Sequence, residues 1–257
     1  MKYVFAMLLL FTGTAVAGGS LSSDIRISSV VLGYDLQYRV YTPEGVEAAE
    51  DLPVLFITDG PAYIQRGQVP KVLDHLIDSG SIDPVIAVFV DARDPDDLSV
   101  NRRNQEFFCN VDYLTFYAAE LIPAIEYAYP VRREREARTI LGVSFGGLNA
   151  ACFGYMGYNF FSGIGMHSPA NHPVQDLLPA YEQAPKLPLR IFLSTGSTND
   201  NTSANRKFRR LLNEKGYDMK YVQISSGYNK SAGHNWGNWK LLIDDVLIFF
   251  YGRSAPE

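Results

Sequence analysis

Three short apolar runs constrain this chain more than any other feature: Pro53-Val-Leu-Phe-Ile-Thr58, Pro84-Val-Ile-Ala-Val-Phe-Val90 and Thr139-Ile-Leu-Gly-Val143. Each has strand length and lacks the alternation of a strand with one wet face, so each reads as a strand buried on both sides. Segments of helical spacing lie around them. Val69 to Ser79 groups Val72, Leu73, Leu76 and Ile77, Val111 to Tyr129 is stopped by Pro130, and Phe145 to Tyr155 follows the third run. Further strands are expected over 162–166, 189–195 and 219–224, and further helices over 203–215 and 238–250. Strands alternating with helices imply βαβ units and a mostly parallel sheet covered by helices on both faces. Ile25 to Val31 and Leu36 to Tyr41, joined through a turn at Gly33, add an antiparallel hairpin at the N-terminal edge. The polar stretch Asp91 to Asn110 reads as a long loop, of the kind that is usually functional.

The remaining composition narrows the classes. With 47% hydrophobic and 20% charged residues among 257, the chain is globular, which excludes disorder, fibres and polytopic membrane proteins. A formal charge of -5 leaves no general basic footprint for nucleic acid. Lys2, the apolar run Tyr3 to Phe11 and the small-residue signal Ala15-Val-Ala17 read as an export leader over residues 1–17. That run is too short for a membrane span, so stable membrane insertion is not expected. The mature chain, residues 18–257, is then one α/β domain in the periplasm or outside the cell. Export leaves two readings for Cys109 and Cys152: one disulfide, or two buried thiols. Two cysteines cannot build a Cys-based zinc site, and no H-E-x-x-H motif is present; neither metal nor cofactor is expected. Composition says nothing about oligomeric state.

The chemistry concentrates at Gly142-Val-Ser144-Phe145-Gly-Gly147, after a buried strand and at the start of a helix. This is the setting of a nucleophile elbow, a sharp strand-to-helix turn that holds the serine hydroxyl out at the carboxyl edge of the sheet. Flanking glycines relieve the crowding, and the amide of Phe145, at a helix N-terminus, faces a developing oxyanion. A serine hydroxyl needs a base and an orienting acid. In the chain order Ser, acid, His, the base is expected to be His234, in Gly233-His-Asn-Trp236 after the last strand. Asp200 is the single carboxylate of the loop after strand 189–195, and Asp218 is the fallback. His75 reads as exposed, His167 as structural, and the acidic run Asp94, Asp96, Asp97 as a solvated loop.

Five motifs in order resemble a known family: Leu52-Pro-Val-Leu-Phe-Ile-Thr-Asp-Gly60, Arg103-Asn-Gln-Glu106-Phe107, Glu120-Leu-Ile-Pro123, Gly142-Val-Ser-Phe-Gly-Gly147 and Gly233-His-Asn-Trp236. They look like the esterase family of α/β-hydrolases that includes enterochelin and other siderophore esterases, esterase D, feruloyl esterases and the mycobacterial mycolyltransferases. The resemblance runs from about Ile27 to Phe250. It implies an α/β-hydrolase fold without a large cap, no metal, and a triad of Ser144, Asp200 and His234. It also exposes a departure. Relatives often use the amide after the Asp-Gly pair as the second oxyanion donor, but here that residue is Pro61, which has no N–H. Gly60 or Ala62 is the expected substitute.

In siderophore esterases and their relatives an Arg-x-x-Glu element lies beside the cleft, and Arg103 and Glu106 match it. Arg103 is read either as a contact for an anionic or aromatic acyl group or as the partner of Glu106 in fixing the loop. Trp236 either packs the last helix or offers a stacking wall to the substrate. The reading is an exported serine carboxylic-ester hydrolase acting on a small-molecule ester, such as a siderophore or other aromatic-acid ester, or on a polysaccharide ester. An acyltransferase on the same triad is the alternative, and a non-catalytic binding protein is disfavoured by the intact triad.

Overall fold

In the computed structural model of the protein, which describes residues 18–45, 51–225 and 232–253, the three apolar runs lie side by side within one sheet. The expected leader, residues 1–17, is outside the described residues. The chain opens with β1 (Ser20–Leu21), β2 (Ile25–Ser28), β3 (Asp35–Thr42) and β4 (Val54–Ile57). Helices α1 (Gly60–Gln65) and α2 (Val69–Asp78) lead to β5 (Ile86–Asp91), followed by α3 (Arg103–Phe107) and α4 (Val111–Phe116). A π-helical turn (Tyr117–Leu121) joins α4 to α5 (Ile122–Ala128), ahead of β6 (Arg138–Val143) and α6 (Phe145–Met156). Then come β7 (Gly163–His167), α7 (Leu177–Gln183), β8 (Arg190–Gly196), α8 (Thr202–Glu214), β9 (Asp218–Ile224), α9 (Trp236–Trp239) and α10 (Ile243–Tyr251).

The nine-stranded sheet has the order β1-β3-β5-β4-β6-β7-β8-β9, with β2 also paired to β3. β3 runs antiparallel to β1, β2 and β5, and the strands from β5 to β9 are parallel. Every residue of β4, β5, β6 and β7 is buried. The two-residue period sends neighbours to opposite faces. Leu55, Ile57, Phe89 and Leu141 pack with Tyr63, Leu73 and Val246 from α1, α2 and α10. Phe56, Val88, Ile140 and Ile164 pack on the other side with Tyr117, Phe153 and Phe208.

The elements differ from the sequence expectation where local signals were weakest. Asp59-Gly-Pro61 opens the short helix α1, with Pro61 in its first turn where a missing N–H costs nothing. The long polar loop contains α3, and α7 also forms where no helix was expected. The helix expected over 111–129 widens into the π turn just upstream of Pro123, which has no N–H to continue the ladder. Within that turn Glu120 fixes the β2–β3 connection: its carboxylate accepts the Ser29 hydroxyl at 2.5 Å and the N–H groups of Val30 and Val31 at 2.9 and 3.1 Å. The two cysteines form a disulfide, which ties the residue after Phe108 to the middle of α6.

Candidate active site

Ser144 sits between β6 and α6 with φ 57° and ψ -116°, a region that residues with side chains rarely occupy. Two glycines make the turn possible. A Cβ on Gly142 would stand 2.1 Å from the carbonyl oxygen of Gly146, and one on Gly146 would stand 2.5 Å from Thr58 Oγ1. The turn is held by the Ser144 N–H, which donates to the His167 carbonyl at 2.9 Å, and by the Ala170 N–H, which donates to the Ser144 carbonyl at 3.1 Å.

The structure brings His234 and Asp200 to this serine. His234 Nε2 is 2.7 Å from Ser144 Oγ, and His234 Nδ1 is 2.7 Å from Asp200 Oδ1. An ionised carboxylate only accepts, so Nδ1 carries the proton and Nε2 accepts from the serine hydroxyl. The supporting loops are laced together: the His234 N–H donates to the Asn199 carbonyl at 3.1 Å, and the Thr198 N–H to the Ala232 carbonyl at 3.2 Å. Asp218, the fallback acid, instead pairs with Arg190 on the surface.

Burial alone would raise the pKa of Asp200, but hydrogen bonds outweigh it and lower the pKa to about 2. The donors are His234, the Ser168 hydroxyl at 2.6 Å, the Gly196 N–H at 2.5 Å and the Asn201 N–H at 2.7 Å. Ser168 in turn accepts from Trp239 Nε1 at 2.9 Å, and the Trp239 ring stands edge-on to His234 with centroids 4.9 Å apart. Sequence reading missed Ser168 altogether and gave Trp239 no polar role. The hint available was a serine directly after a buried strand, which is too common to single out.

The remaining site residues divide. Phe145 and Gly60 are the first residues of α6 and α1, where an N–H has no intrahelical partner. The N–H of Ala62 donates to the Asp59 carbonyl at 2.9 Å and is therefore already engaged. A cavity of about 320 Å³ opens beside this turn, lined among others by Asp59, Pro61, Ala62, Arg66, Arg93 and Asn101.

The pairing of Arg103 with Glu106, one of the two readings of this element, is not made. Arg103 grips Asp59 with Nε and Nη2, at 2.6 and 2.8 Å, and Nη2 also donates to the Val143 carbonyl at 2.9 Å. Glu106 is 0% exposed, which overturns its expected role as a substrate contact. It faces the core, where the Tyr34 hydroxyl donates to it at 3.0 Å. Burial pushes its pKa up to about 8, against the pull of Tyr34 and Arg102. Trp236 is half-buried and packs edge-on against Tyr63 and Trp239, with centroids 5.0 and 5.6 Å away. His167 is fully buried, accepts or donates to the Tyr63 hydroxyl at 3.2 Å, and is held neutral by burial, its pKa lowered to about 3. His75 is exposed.

The profile of a family described as "Putative esterase" matches residues 29–250. The chain belongs to this family. Over 106 residues it is 30% identical to an iron(III) enterobactin esterase of Escherichia coli, a match covering 41% of this chain and 25% of that protein. Among solved structures, a ferulic acid esterase superposes with a TM-score of 0.77 at 22% identity, covering 91% of this chain and 99% of that one. The enterobactin esterase of Shigella flexneri superposes with a TM-score of 0.76 at 22% identity, over 89% of this chain and 58% of its own. At such identities the likeness establishes the α/β-hydrolase fold, with a mostly parallel sheet and helices on both faces. No helix among the described residues is long and apolar enough to cross a membrane.

Proposed function

We propose that the protein is an exported serine carboxylic-ester hydrolase, formed by a single domain over residues 18–257, with Ser144, His234 and Asp200 as its catalytic triad. The observation that carries this reading is the unbroken hydrogen-bond chain from Ser144 Oγ through both nitrogens of His234 to Asp200, with each link 2.7 Å. His234 takes the serine proton as Oγ attacks the ester carbonyl, and Asp200 stabilises the imidazolium. The tetrahedral oxyanion lies against the N–H groups of Phe145 and Gly60. Collapse breaks the bond to the alcohol oxygen, which leaves with the proton from His234, and Ser144 stays acylated. Water repeats the sequence, giving the acid and free Ser144.

An aromatic-acid ester is the substrate class we favour, because the two kinds of relative named above are a ferulic acid esterase and enterobactin esterases. The export reading rests on residues 1–17 and suits a substrate met outside the cytoplasm. The test is hydrolysis of p-nitrophenyl acetate and of a feruloyl ester by the wild type and by Ser144→Ala. Wild-type turnover should fall by about a millionfold in the variant. Undiminished turnover in Ser144→Ala would exclude the mechanism.

A further inference from the structure

Arg103 was a candidate substrate contact, yet its Nε and Nη2 are engaged by the protein. We infer that Arg103 is a positioning residue that clasps the two arms of the oxyanion hole together, an inference that rests on the esterase reading above. One arm is the Asp59–Gly60 turn and the other is the elbow from Val143 to Phe145. The guanidinium meets Asp59 through Nε and Nη2 at 2.6 and 2.8 Å, and the Val143 carbonyl through Nη2 at 2.9 Å. Asp59 immediately precedes Gly60, and Val143 immediately precedes Ser144. One planar fork therefore fixes the backbone leading into both donor amides.

Each arm needs holding. Asp59 has φ 56° and Ser144 has φ 57°, left-handed conformations that a side chain disfavours. Such residues persist where surrounding contacts over-determine them. The Asp59 carbonyl also accepts the N–H groups of Ala62 and Tyr63 at 2.9 and 3.3 Å, so its orientation sets the start of α1. The Asp59 carboxylate lies hard against the elbow, since a Cβ on Gly146 would be 2.8 Å from its Oδ2. The clasp is braced in turn. The guanidinium carbon lies 5.5 Å from the ring centroid of Phe107 and 5.4 Å from that of Phe145. Just beyond α3 the Cys109–Cys152 disulfide anchors the segment to α6, the helix that Ser144 opens. A lysine has one ammonium and no fork, so it cannot reproduce the three directed bonds.

The oxyanion is common to every ester, whereas a substrate contact is not. Loosening the clasp therefore removes transition-state stabilisation without regard to the acyl group. The experiment measures kcat and KM of Arg103→Ala and Arg103→Lys on p-nitrophenyl acetate and on a feruloyl ester. Expected is a loss of about a hundredfold in kcat on both substrates, the scale of one oxyanion donor. KM should stay within about twofold. Guanidinium ion at low millimolar concentration should restore part of the kcat of Arg103→Ala, and Arg103→Lys should remain impaired. If Arg103→Ala does not fold, Arg103→Lys, which keeps a cation beside Asp59, carries the same test. A loss confined to the feruloyl ester, a loss in KM alone, or unchanged kcat in an active enzyme would overturn the clasp and leave the esterase reading standing. A wild type that hydrolyses neither ester would overturn both.

Discussion

The hydroxyl of Ser168 donates to Asp200 at 2.6 Å, on the carboxylate oxygen that His234 does not use. Ser168 has φ 46° and directly follows β7, so a strained backbone is stabilised where it can reach the acid. Asp200 is thus held by donors on both oxygens, which fixes the plane in which it meets the imidazole.

Removing that donor should weaken the acid without displacing the serine. Ser168→Ala is expected to lower kcat roughly tenfold, the scale of one charge-assisted hydrogen bond. Asp200 titrates at about 2 in the fold against an ordinary 3.8, so its contribution to stability is present above 3.8 and is lost as pH falls through about 2. In Ser168→Ala that contribution should be smaller and its loss complete at a higher pH, seen as an acid-unfolding midpoint displaced upward. An unchanged midpoint would show that Ser168 does not act on Asp200.

Glu106 gives the opposite dependence. Its carboxyl titrates at about 8 in the fold against an ordinary 4.5. Between those values the folded state holds the extra proton, so this stability is full below 4.5 and declines as pH rises through 8. The slope is at most about 1.4 kcal/mol per pH unit. Glu106→Gln, neutral at every pH, should flatten the fall in melting temperature between pH 5 and 8. Parallel curves for variant and wild type would contradict the buried, protonated state.

The disulfide closes a separation of 43 residues. Replacing Cys109 and Cys152 together by Ala should lower the unfolding free energy by about 4 kcal/mol, as chain-entropy reasoning gives for such a loop. Dithiothreitol should bring the wild type to the denaturation midpoint of the double variant. A wild type indifferent to reductant would mean that the bond contributes nothing to the folded state.

The sequence made the sheet and the constituents of the proposed triad legible because both leave local marks. Apolar runs four to six residues long report strands buried on both faces, and the glycines around Ser144 report a turn too crowded for side chains. Chain order then pointed to Asp200 and His234. The clasp left no such mark. Asp59 and Arg103 are 44 residues apart and meet only because α1 and α3 converge on the elbow. Spacing of three residues on a helix favours an Arg103–Glu106 pair. Burial decides otherwise, turning Glu106 toward Tyr34 and leaving Arg103 for Asp59. Ser168 and Trp239 became visible only when β7, β8 and α9 were folded together.

The most direct test of the central claim is the site of covalent labelling by a fluorophosphonate, located by peptide mass spectrometry on the folded protein. The adduct is expected on Ser144 alone, to be absent from Ser144→Ala, and to form far more slowly in His234→Ala, which lacks the base. No adduct on the folded wild type, or equal labelling of Ser144→Ala, would contradict the assignment of Ser144 as the nucleophile.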